Sequence, residues 1–408
     1  MSCFATPFPK PFSGATAPRL TILRNDTAPD QHVEMPDTSR HQFRSSARTL
    51  VVAATAMVLV AGCHDTTSPA QVKINSIATL NTTRVIASTV DRTNGDQNPY
   101  GIVVVPDSAL TTGRLLPGDI LVSNINDRSN TMGMGTTIEL IRPSDATPTP
   151  TTFFSGAASP IALVLNANAS SLWIANYGLS PDGTQGYVQV VNNHGAQFPL
   201  GAVVDSRLRG SWGQGFNGQP VGAARPPAFF DSNVLTGAVY RLTMFPSTAS
   251  GPNFAAATIT QIAALGHSGT TINNVVGPQG MARSGTGDTL YVTDPVNNRI
   301  MAIPQATTTG NVGAGVTVYQ GAPLNQPAGI TVNPLNGDLL VVNQGDNTLI
   351  EIDPVSRRVI ASRVLDPTHV VGGTGSALFG VVAVRDQSGR LVVYYVNDNS
   401  NTLNSLSQ

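Results

Sequence analysis

From residue 98 onward, short apolar runs alternate with polar turns along the chain. The clearest stretch is "GPQGMARSGTGDTLYVTDPVNNRIMAIP" (Gly277–Pro304), and the next is "QPAGITVNPLNGDLLVVNQGDNTLIEIDP" (Gln326–Pro354). Each apolar run has about five residues between turn-forming Gly, Asn, Asp or Pro, which is typical of β-strands. The two stretches align without gaps from Pro278 and Pro327. The pattern therefore predicts a repeated unit of at least three strands.

Weaker copies of this unit fill the rest of the chain. They begin at Asn98, Ser159, Gln219 and Leu378. A small residue opens the first strand of each copy, and these residues are Gly101, Ala162, Gly222, Gly280, Gly329 and Gly380. Six repeats predict six structurally equivalent units, with the glycine-rich stretch 207–220 as an insertion before the third.

The pentapeptide RVIAS occurs at Arg84–Ser88 and again at Arg358–Ser362. The second copy follows the third strand of the fifth unit, so we expect it to be a fourth, outer strand. The first copy precedes the first unit at a similar offset, and the sixth unit ends after three strands. We therefore predict that the N-terminal strand completes the last unit and closes a ring, which protects the sheet edge there.

The units resemble NHL repeats, with the best match in Pro278-Gln279-Gly280 and "LYVTDPVNNRI". This resemblance implies an all-β fold, a six-bladed β-propeller with four antiparallel strands per blade around a central channel. We assign residues 76–408 to this domain.

The segment before the repeats has the features of a targeting signal. Arg44 and Arg48 precede a short apolar run, which ends in Val60-Ala61-Gly62-Cys63. This arrangement is similar to a bacterial lipoprotein signal, in which the cysteine is acylated and becomes the new N-terminus. We expect residues 1–62 to be a leader and signal peptide and 63–75 to be lipidated Cys63 with a flexible tether. The protein is then membrane-anchored in the cell envelope, on the periplasmic or extracellular side.

Two alternatives remain open for this segment. An ordinary secretion signal would leave Cys63 unmodified. The residues before the apolar run are also more numerous than in most lipoprotein signals, and Met35 offers a second translation start beside Met1.

Composition limits the classes of function. Only 12% of residues are charged and the formal net charge is −1, so the chain lacks the basic surface that nucleic acids require. Cys3 and Cys63 are the two cysteines, and both precede the repeats. A thiolate nucleophile or a disulfide within the repeats is thereby excluded.

Propeller ligands bind at a mouth of the channel, where the turns after each second strand lie. The residues that end these strands are five amides and one carboxylate: Asn124, Asn176, Asn233, Asp294, Asn343 and Asn397. We predict that they form a ligand-binding ring. The alternative is that they cap their own turns, as Asn and Asp commonly do.

A role in metal binding depends on the number of acids in this ring. Propellers similar to the gluconolactonase and senescence-marker family hold a divalent ion with acids and amides, whereas only Asp294 is charged here. Calcium prefers several carboxylates among its six to eight oxygen ligands, so we expect no cofactor or a weak calcium site. The sequence favours a non-catalytic binding role for a protein, peptide or glycan. The alternative is a divalent-metal-dependent, lactonase-like hydrolase.

Overall fold

Short runs of β-branched and aliphatic residues between turn-forming residues build the strands of this chain, as in Leu339–Asn343 (LLVVN). A computed structural model describes residues 75–408 except 180–182, 184, 218–226, 244, 250, 286 and 369–376. Cys63, the predicted leader and nearly all of the predicted tether lie outside the described residues. Within the described part, no helix is long and apolar enough to cross a membrane.

Twenty-four of the strands form six antiparallel four-stranded sheets, which are the blades of a β-propeller. Blade 1 contains β2 (Gln97–Val104), β3 (Ile120–Asn126), β4 (Thr137–Ile141) and β5 (Thr151–Ser155). Blade 2 contains β6 (Pro160–Leu165), β7 (Ser171–Leu179), β8 (Gly186–Asn192) and β9 (Gln197–Asp205). Blade 3 contains β10 (Ser211–Phe216), β11 (Phe229–Asn233), β12 (Ala238–Thr243) and β15 (Thr258–Ala264).

The remaining strands continue the same order. A two-stranded hairpin, β13 (Ser247–Thr248) and β14 (Gly251–Pro252), interrupts blade 3. Blade 4 contains β16 (Met281–Arg283), β17 (Leu290–Asp294), β18 (Arg299–Ile303) and β19 (Val316–Gln320). Blade 5 contains β20 (Pro327–Val332), β21 (Leu339–Asn343), β22 (Thr348–Asp353) and β23 (Arg358–Val364). Blade 6 contains β24 (Leu378–Arg385), β25 (Leu391–Asn397), β26 (Thr402–Ser407) and the N-terminal strand β1 (Thr82–Ser88).

The predicted ring closure is confirmed. Strand β1 pairs antiparallel with β26, with Thr82 opposite Ser407 and Ser88 opposite Thr402. Both RVIAS copies lie in outermost strands, the first in β1 of blade 6 and the second in β23 of blade 5. Blade 6 is thus assembled from the two ends of the repeat region.

The third blade corrects the sequence interpretation. Its first strand is β10, which lies before Gly222 and inside the stretch that was expected to be an insertion. Gly222 itself lies outside the described residues. The small residue of this first strand is Gly213. The segment "SWGQGF" forms a strand by pairing with β11, the second strand of the blade.

Small residues allow the first strands to approach one another closely. We call Gly101, Ala162, Gly213, Gly280, Gly329 and Gly380 the small-residue ring. A Cβ on any of its five glycines would collide with a backbone carbonyl oxygen in, or just before, the first strand of the next blade; at Gly329 the carbonyl is that of Phe379. The amide of Gly280 also donates to the Ala328 carbonyl at 3.0 Å. The glycines are therefore required by packing between blades.

Apolar side chains fill the space between neighbouring blades. Each of the six interfaces has its own buried cluster, such as the one that joins Ile300 in blade 4 to Val341 in blade 5. At the interface of blades 6 and 1, Ala87 of β1 packs with Ile120 and Val396. Burial of these clusters stabilises the ring, since apolar surface is removed from water at every interface.

The segment before β1 is fixed to blade 5 by a set of contacts that we call the N-terminal latch. Ile77 is 1% exposed and packs with Leu80 into the cluster between blades 5 and 6. The buried carboxylate of Glu351 accepts hydrogen bonds from the Ser76 hydroxyl and, at 2.9 Å, from the Ile77 amide. The chain therefore contacts blade 5 before it enters blade 6.

Candidate functional site

The six residues predicted to form a ligand-binding ring lie at or near the ends of the second strands. Asn233, Asp294, Asn343 and Asn397 end β11, β17, β21 and β25, and the other two lie inside β3 and β7. All except Asn397 are fully buried. The structure thus confirms their position on the blades and places their side chains inside the protein.

Most polar atoms of these six side chains bind groups of the protein itself. The Asn233 amide donates to the carbonyls of Arg207 and Arg209 at 2.7 and 2.8 Å, and its oxygen accepts from two turn amides. Asn343 donates to the Pro323 carbonyl at 2.8 Å. Bonds of this kind tie the end of a second strand to the segment that leads into the same blade, which is a structural role.

The single carboxylate of this ring has its own counter-ion. Asp294 Oδ2 accepts from Arg299 Nη2 at 2.6 Å and from Asn297 Nδ2 at 2.9 Å. Arg299 follows in the next strand, so the charge of Asp294 is compensated within blade 4. Among the described residues, no group of three or more His, Cys, Asp or Glu side chains could hold a metal ion.

A second ring closes the channel at the N-terminal ends of the first strands. It consists of the residues that precede the small-residue ring, and we call it the plug ring: Tyr100, Ile161, Trp212, Gln279, Ala328 and Phe379. All except Phe379 are at most 6% exposed. The plug ring is therefore part of the core.

Aromatic contacts and hydrogen bonds hold the plug ring together. Tyr100 stacks on Phe379 with ring centroids 4.3 Å apart, and the edge of Trp212 meets Tyr100 at 89°. The Trp212 indole N–H donates to the Tyr100 hydroxyl at 2.8 Å, and this hydroxyl donates to Gln279 Oε1 at 3.3 Å. Burial raises the pKa of Tyr100 well above its ordinary value, so the phenol is neutral and can donate.

Beyond the plug ring, the channel contains a cavity of about 350 Å³. The first strands of blades 3, 4 and 5 line it over most of their length, and those of blades 1, 2 and 6 contribute three or four residues each. The apolar lining includes Ile102, Val164, Phe216, Ile330 and Val332. The volume is typical of a small-ligand site, and the walls present polar and apolar groups in similar proportion.

Few polar side chains line this cavity. They include the amide of Gln214, the hydroxyl of Thr331 and the guanidinium of Arg283. Among the described residues of the lining, Arg283 alone is charged, and it donates to the Gly287 carbonyl at 3.3 Å. The first strands are also terminal strands of their sheets, so their backbone edges face the channel.

Behind Gln214 lies a fully buried carboxyl group. Gln214 Nε2 donates to Asp231 Oδ1 at 3.1 Å, and the Ser211 hydroxyl donates to the same oxygen. Burial raises the pKa of Asp231 to about 7. Neither Gln214 Oε1 nor Asp231 Oδ2 has a hydrogen-bond partner within the described part of the chain. This cluster therefore contains two buried oxygens without a partner in the described part of the chain.

The sequence interpretation does not place Trp212 and Gln214 in a first strand at the channel, because it treats the stretch 207–220 as an insertion. A signal was nevertheless present. An aromatic residue precedes the glycine in Tyr100-Gly101, Trp212-Gly213 and Phe379-Gly380. This dipeptide would have placed Gly213 in the small-residue ring and Trp212 at the channel.

Comparisons with known proteins support the fold. No family model matches the sequence, and no curated protein matches it. A solved structure of a Bacteroides thetaiotaomicron protein of unknown function is 12% identical, with a TM-score of 0.50 over 80% of this chain and 75% of that chain.

Two further solved structures are similar. Regucalcin, a calcium-binding protein from Agrobacterium tumefaciens, is 15% identical with a TM-score of 0.48 over 79% of this chain and 93% of its own. An auxiliary nutrient-binding protein from Bacteroides thetaiotaomicron is 10% identical with a TM-score of 0.46, over 76% and 69% of the two chains. At these identities the similarity concerns the fold alone, and the chain is a six-bladed β-propeller.

Proposed function

We propose that this protein is a lipid-anchored binding module of the cell envelope and that its central cavity takes a short, neutral peptide segment. The observation that carries this proposal is the cavity of about 350 Å³, which the first strands line with apolar side chains and neutral polar groups. Such a volume is near the lower limit of ligand sites in proteins, so the bound segment is small.

The lining suits a peptide in two ways. Apolar side chains of the peptide would contact residues such as Ile102 and Val332, and its amide groups would bind polar groups along the edges of the first strands. Arg283 is already bonded to Gly287, so an anionic group is not required of the ligand.

A glycan is the weaker candidate because the two aromatic side chains of the plug ring that carry polar groups, Tyr100 and Trp212, are already engaged. Sugars stack on exposed aromatic rings, whereas the face of Tyr100 is covered by Phe379 and its hydroxyl is bonded to Trp212. Trp212 is only 4% exposed. Peptide recognition needs no free aromatic face.

The location of the protein rests on the sequence alone. The apolar run that ends in Cys63 supports a lipid anchor, and the polar residues after it support a tether to the propeller. The lactonase-like alternative has less support, because the charge of Asp294 is compensated by Arg299.

A fluorescence titration tests the binding role. N-acetyl-leucyl-glycinamide, its free acid and methyl β-glucoside would each be titrated into the full-length protein. We expect the neutral dipeptide to change tryptophan emission and expect no change in a Trp212→Phe variant, because Trp173 is buried outside the cavity. Binding of the glucoside alone would contradict the peptide proposal. Binding of the free acid alone, lost in Arg283→Gln, would contradict the neutral ligand.

A further inference from the structure

The chain enters the propeller on the side where the first strands end. Asn75 is the first residue that the structure describes, and its carbonyl oxygen accepts a hydrogen bond of 2.8 Å from Asn333 Nδ2. Asn333 directly follows β20, so it begins the turn between the first and second strands of blade 5. The N-terminal segment is therefore fixed to this turn before it reaches β1.

The channel cavity extends to the same side of the propeller. Its lining includes Phe216, Arg283 and Val332, which are the last residues of β10, β16 and β20. The plug ring closes the channel at the opposite ends of the first strands. Within the described residues, the cavity thus faces the side where the chain enters. We call this side the entry face, and in blade 5 it comprises the turns 333–338 and 354–357.

The predicted lipid anchor lies a short distance along the chain from the entry face. Eleven residues, 64–74, separate Cys63 from Asn75, so the two residues are at most about 40 Å apart even in a fully extended chain. A flexible chain of this length has a root-mean-square end-to-end distance of about 20 Å. The seven residues of β1 alone span about 24 Å. An anchor at Cys63 therefore favours an arrangement in which the entry face is turned toward the bilayer.

A turn of blade 5 gives the entry face an apolar tip. Val355, in the turn between the third and fourth strands, is 90% exposed, more than any other large apolar residue that the structure describes. Arg357 and Arg358 are exposed beside it. The Asp353 carboxylate fixes the turn, because it accepts from the amides of Val355 and Ser356 at 2.8 and 3.2 Å. An apolar tip beside two cations suits the interface of an anionic bilayer.

We infer that the entry face lies against the membrane, that the turn 354–357 contacts its lipids, and that the channel opens toward the bilayer surface. The peptide ligand then reaches the cavity from the space between the propeller and the membrane. This inference rests on the lipid anchor of the proposed function, and it adds the orientation of the propeller and a lipid surface as its partner.

Energy transfer to the bilayer tests the orientation. Gln387 and Ser400 are exposed residues in the turns at the two ends of β25, so donor dyes at these positions form a matched pair. The full-length, acylated protein with Gln387→Cys or Ser400→Cys would be labelled and reconstituted into phosphatidylcholine–phosphatidylglycerol vesicles that contain a rhodamine-labelled lipid. We expect the donor at Gln387, on the entry face, to lose more of its emission than the donor at Ser400.

Variants at the two ends of β23 test the lipid contact. Val355→Asp combined with Arg357→Gln and Arg358→Gln should reduce the emission loss at Gln387, because the apolar tip and both cations are removed. Val364→Asp is the matched control, since Val364 is 57% exposed at the other end of β23, and it should leave the loss unchanged. An unchanged loss in the triple variant, with folding checked by a thermal melt, would show that the turn does not contact lipid.

The outcomes separate the inference from the proposed function. If the unsubstituted protein does not float with the vesicles in a density gradient, the lipid anchor is wrong and the orientation falls with it. If the labelled proteins float with the vesicles but lose emission equally at Gln387 and Ser400, or more at Ser400, the anchor holds and the inferred orientation is wrong.

Discussion

The backbone amide of Ile77 donates a hydrogen bond of 2.9 Å to the carboxylate of Glu351, 274 residues later in the chain. This contact fixes the N-terminal segment to blade 5, and β1 then completes blade 6. Within the described residues, these contacts tie the N-terminal segment to both blade 5 and blade 6.

Deletion of residues 75–90, which removes the latch and β1, should lower the free energy of unfolding by about 3–6 kcal/mol. The loss comes mainly from Ile77 and Leu80, each of which contributes about 1.5–3 kcal/mol through burial. Deletion of residues 64–71 in the predicted tether is the control and should leave the stability unchanged. Equal melting temperatures for the two deletion variants would show that the latch and β1 contribute nothing.

The small-residue ring predicts a large effect of a single methyl group. Gly329→Ala should lower the melting temperature strongly, because the added Cβ collides with the Phe379 carbonyl of the next blade. Gly310→Ala is the matched control, since a Cβ at this exposed glycine meets no atom within 4 Å. Similar melting temperatures for the two variants in a calorimetric scan would rule out close packing as the reason for Gly329.

Asn233 should contribute to stability and not to binding. Its side chain makes four hydrogen bonds to the backbone of its own blade. We expect Asn233→Ala to cost about 2–3 kcal/mol of unfolding free energy and to leave the affinity for N-acetyl-leucyl-glycinamide unchanged in folded protein. A loss of affinity at unchanged stability would support the ligand-binding ring that the sequence predicts.

Glu139 makes the stability dependent on pH. Burial, followed by the neighbouring Asp91 carboxylate, raises its pKa to about 9, so the folded protein keeps a proton that the unfolded chain releases above the ordinary pKa of 4.5. Stability therefore falls as the pH rises from about 4.5 to 9, by at most about 1.4 kcal/mol per pH unit. Glu139→Gln should remove this loss and be about 1–3 kcal/mol more stable than the wild type at pH 8.

A reciprocal substitution serves as the control for Glu139. Gln189 occupies the corresponding position in β8, opposite Ile174 as Glu139 is opposite Val122. Gln189→Glu should therefore destabilise the protein at pH 8 more than at pH 5. Denaturation curves of both variants at pH 5 and pH 8 test this prediction. If the stability of Glu139→Gln and of the wild type changed with pH in parallel, Glu139 would not be the source of the pH dependence.

The lipid anchor is tested separately from the fold. Cys63→Ser should move the protein from the membrane fraction to the soluble fraction, because the acylated sulfur is removed. Lys73→Arg changes a nearby residue of the predicted tether without affecting the cysteine and should leave the distribution unchanged. Continued membrane association of Cys63→Ser would mean that Cys63 is not the anchor.

The architecture could be predicted because it is encoded in local patterns that repeat. The two RVIAS copies and the aligned units at Pro278 and Pro327 predicted six blades and the closure by β1, and the structure confirms both. The third blade was misassigned because "SWGQGF" carries glycines and polar residues where other first strands are aliphatic. Its pairing with β11 is a long-range contact that its own sequence does not signal.

The candidate site was harder to predict than the fold. The position of Asn233 at a strand end follows from local sequence, whereas its burial depends on the segment around Arg207 that folds over it. Gln214 and Asp231 lie in strands β10 and β11, and only the pairing of these strands brings them together. Tyr100 and Trp212 come from blades 1 and 3, and only the closed ring of blades brings them together.

The central claim, that a neutral peptide binds inside the channel, is tested most directly by a reversible block of the cavity. Thr331 lines the cavity, and Thr331→Cys can be modified after folding with benzyl methanethiosulfonate. Wild-type protein treated in the same way is the control, because Cys3 and Cys63 lie outside the repeats. We predict that modification of Thr331→Cys abolishes the emission change produced by N-acetyl-leucyl-glycinamide, that a reductant restores it, and that the treated wild type keeps it. An unchanged titration of the fully modified variant would contradict binding in the channel.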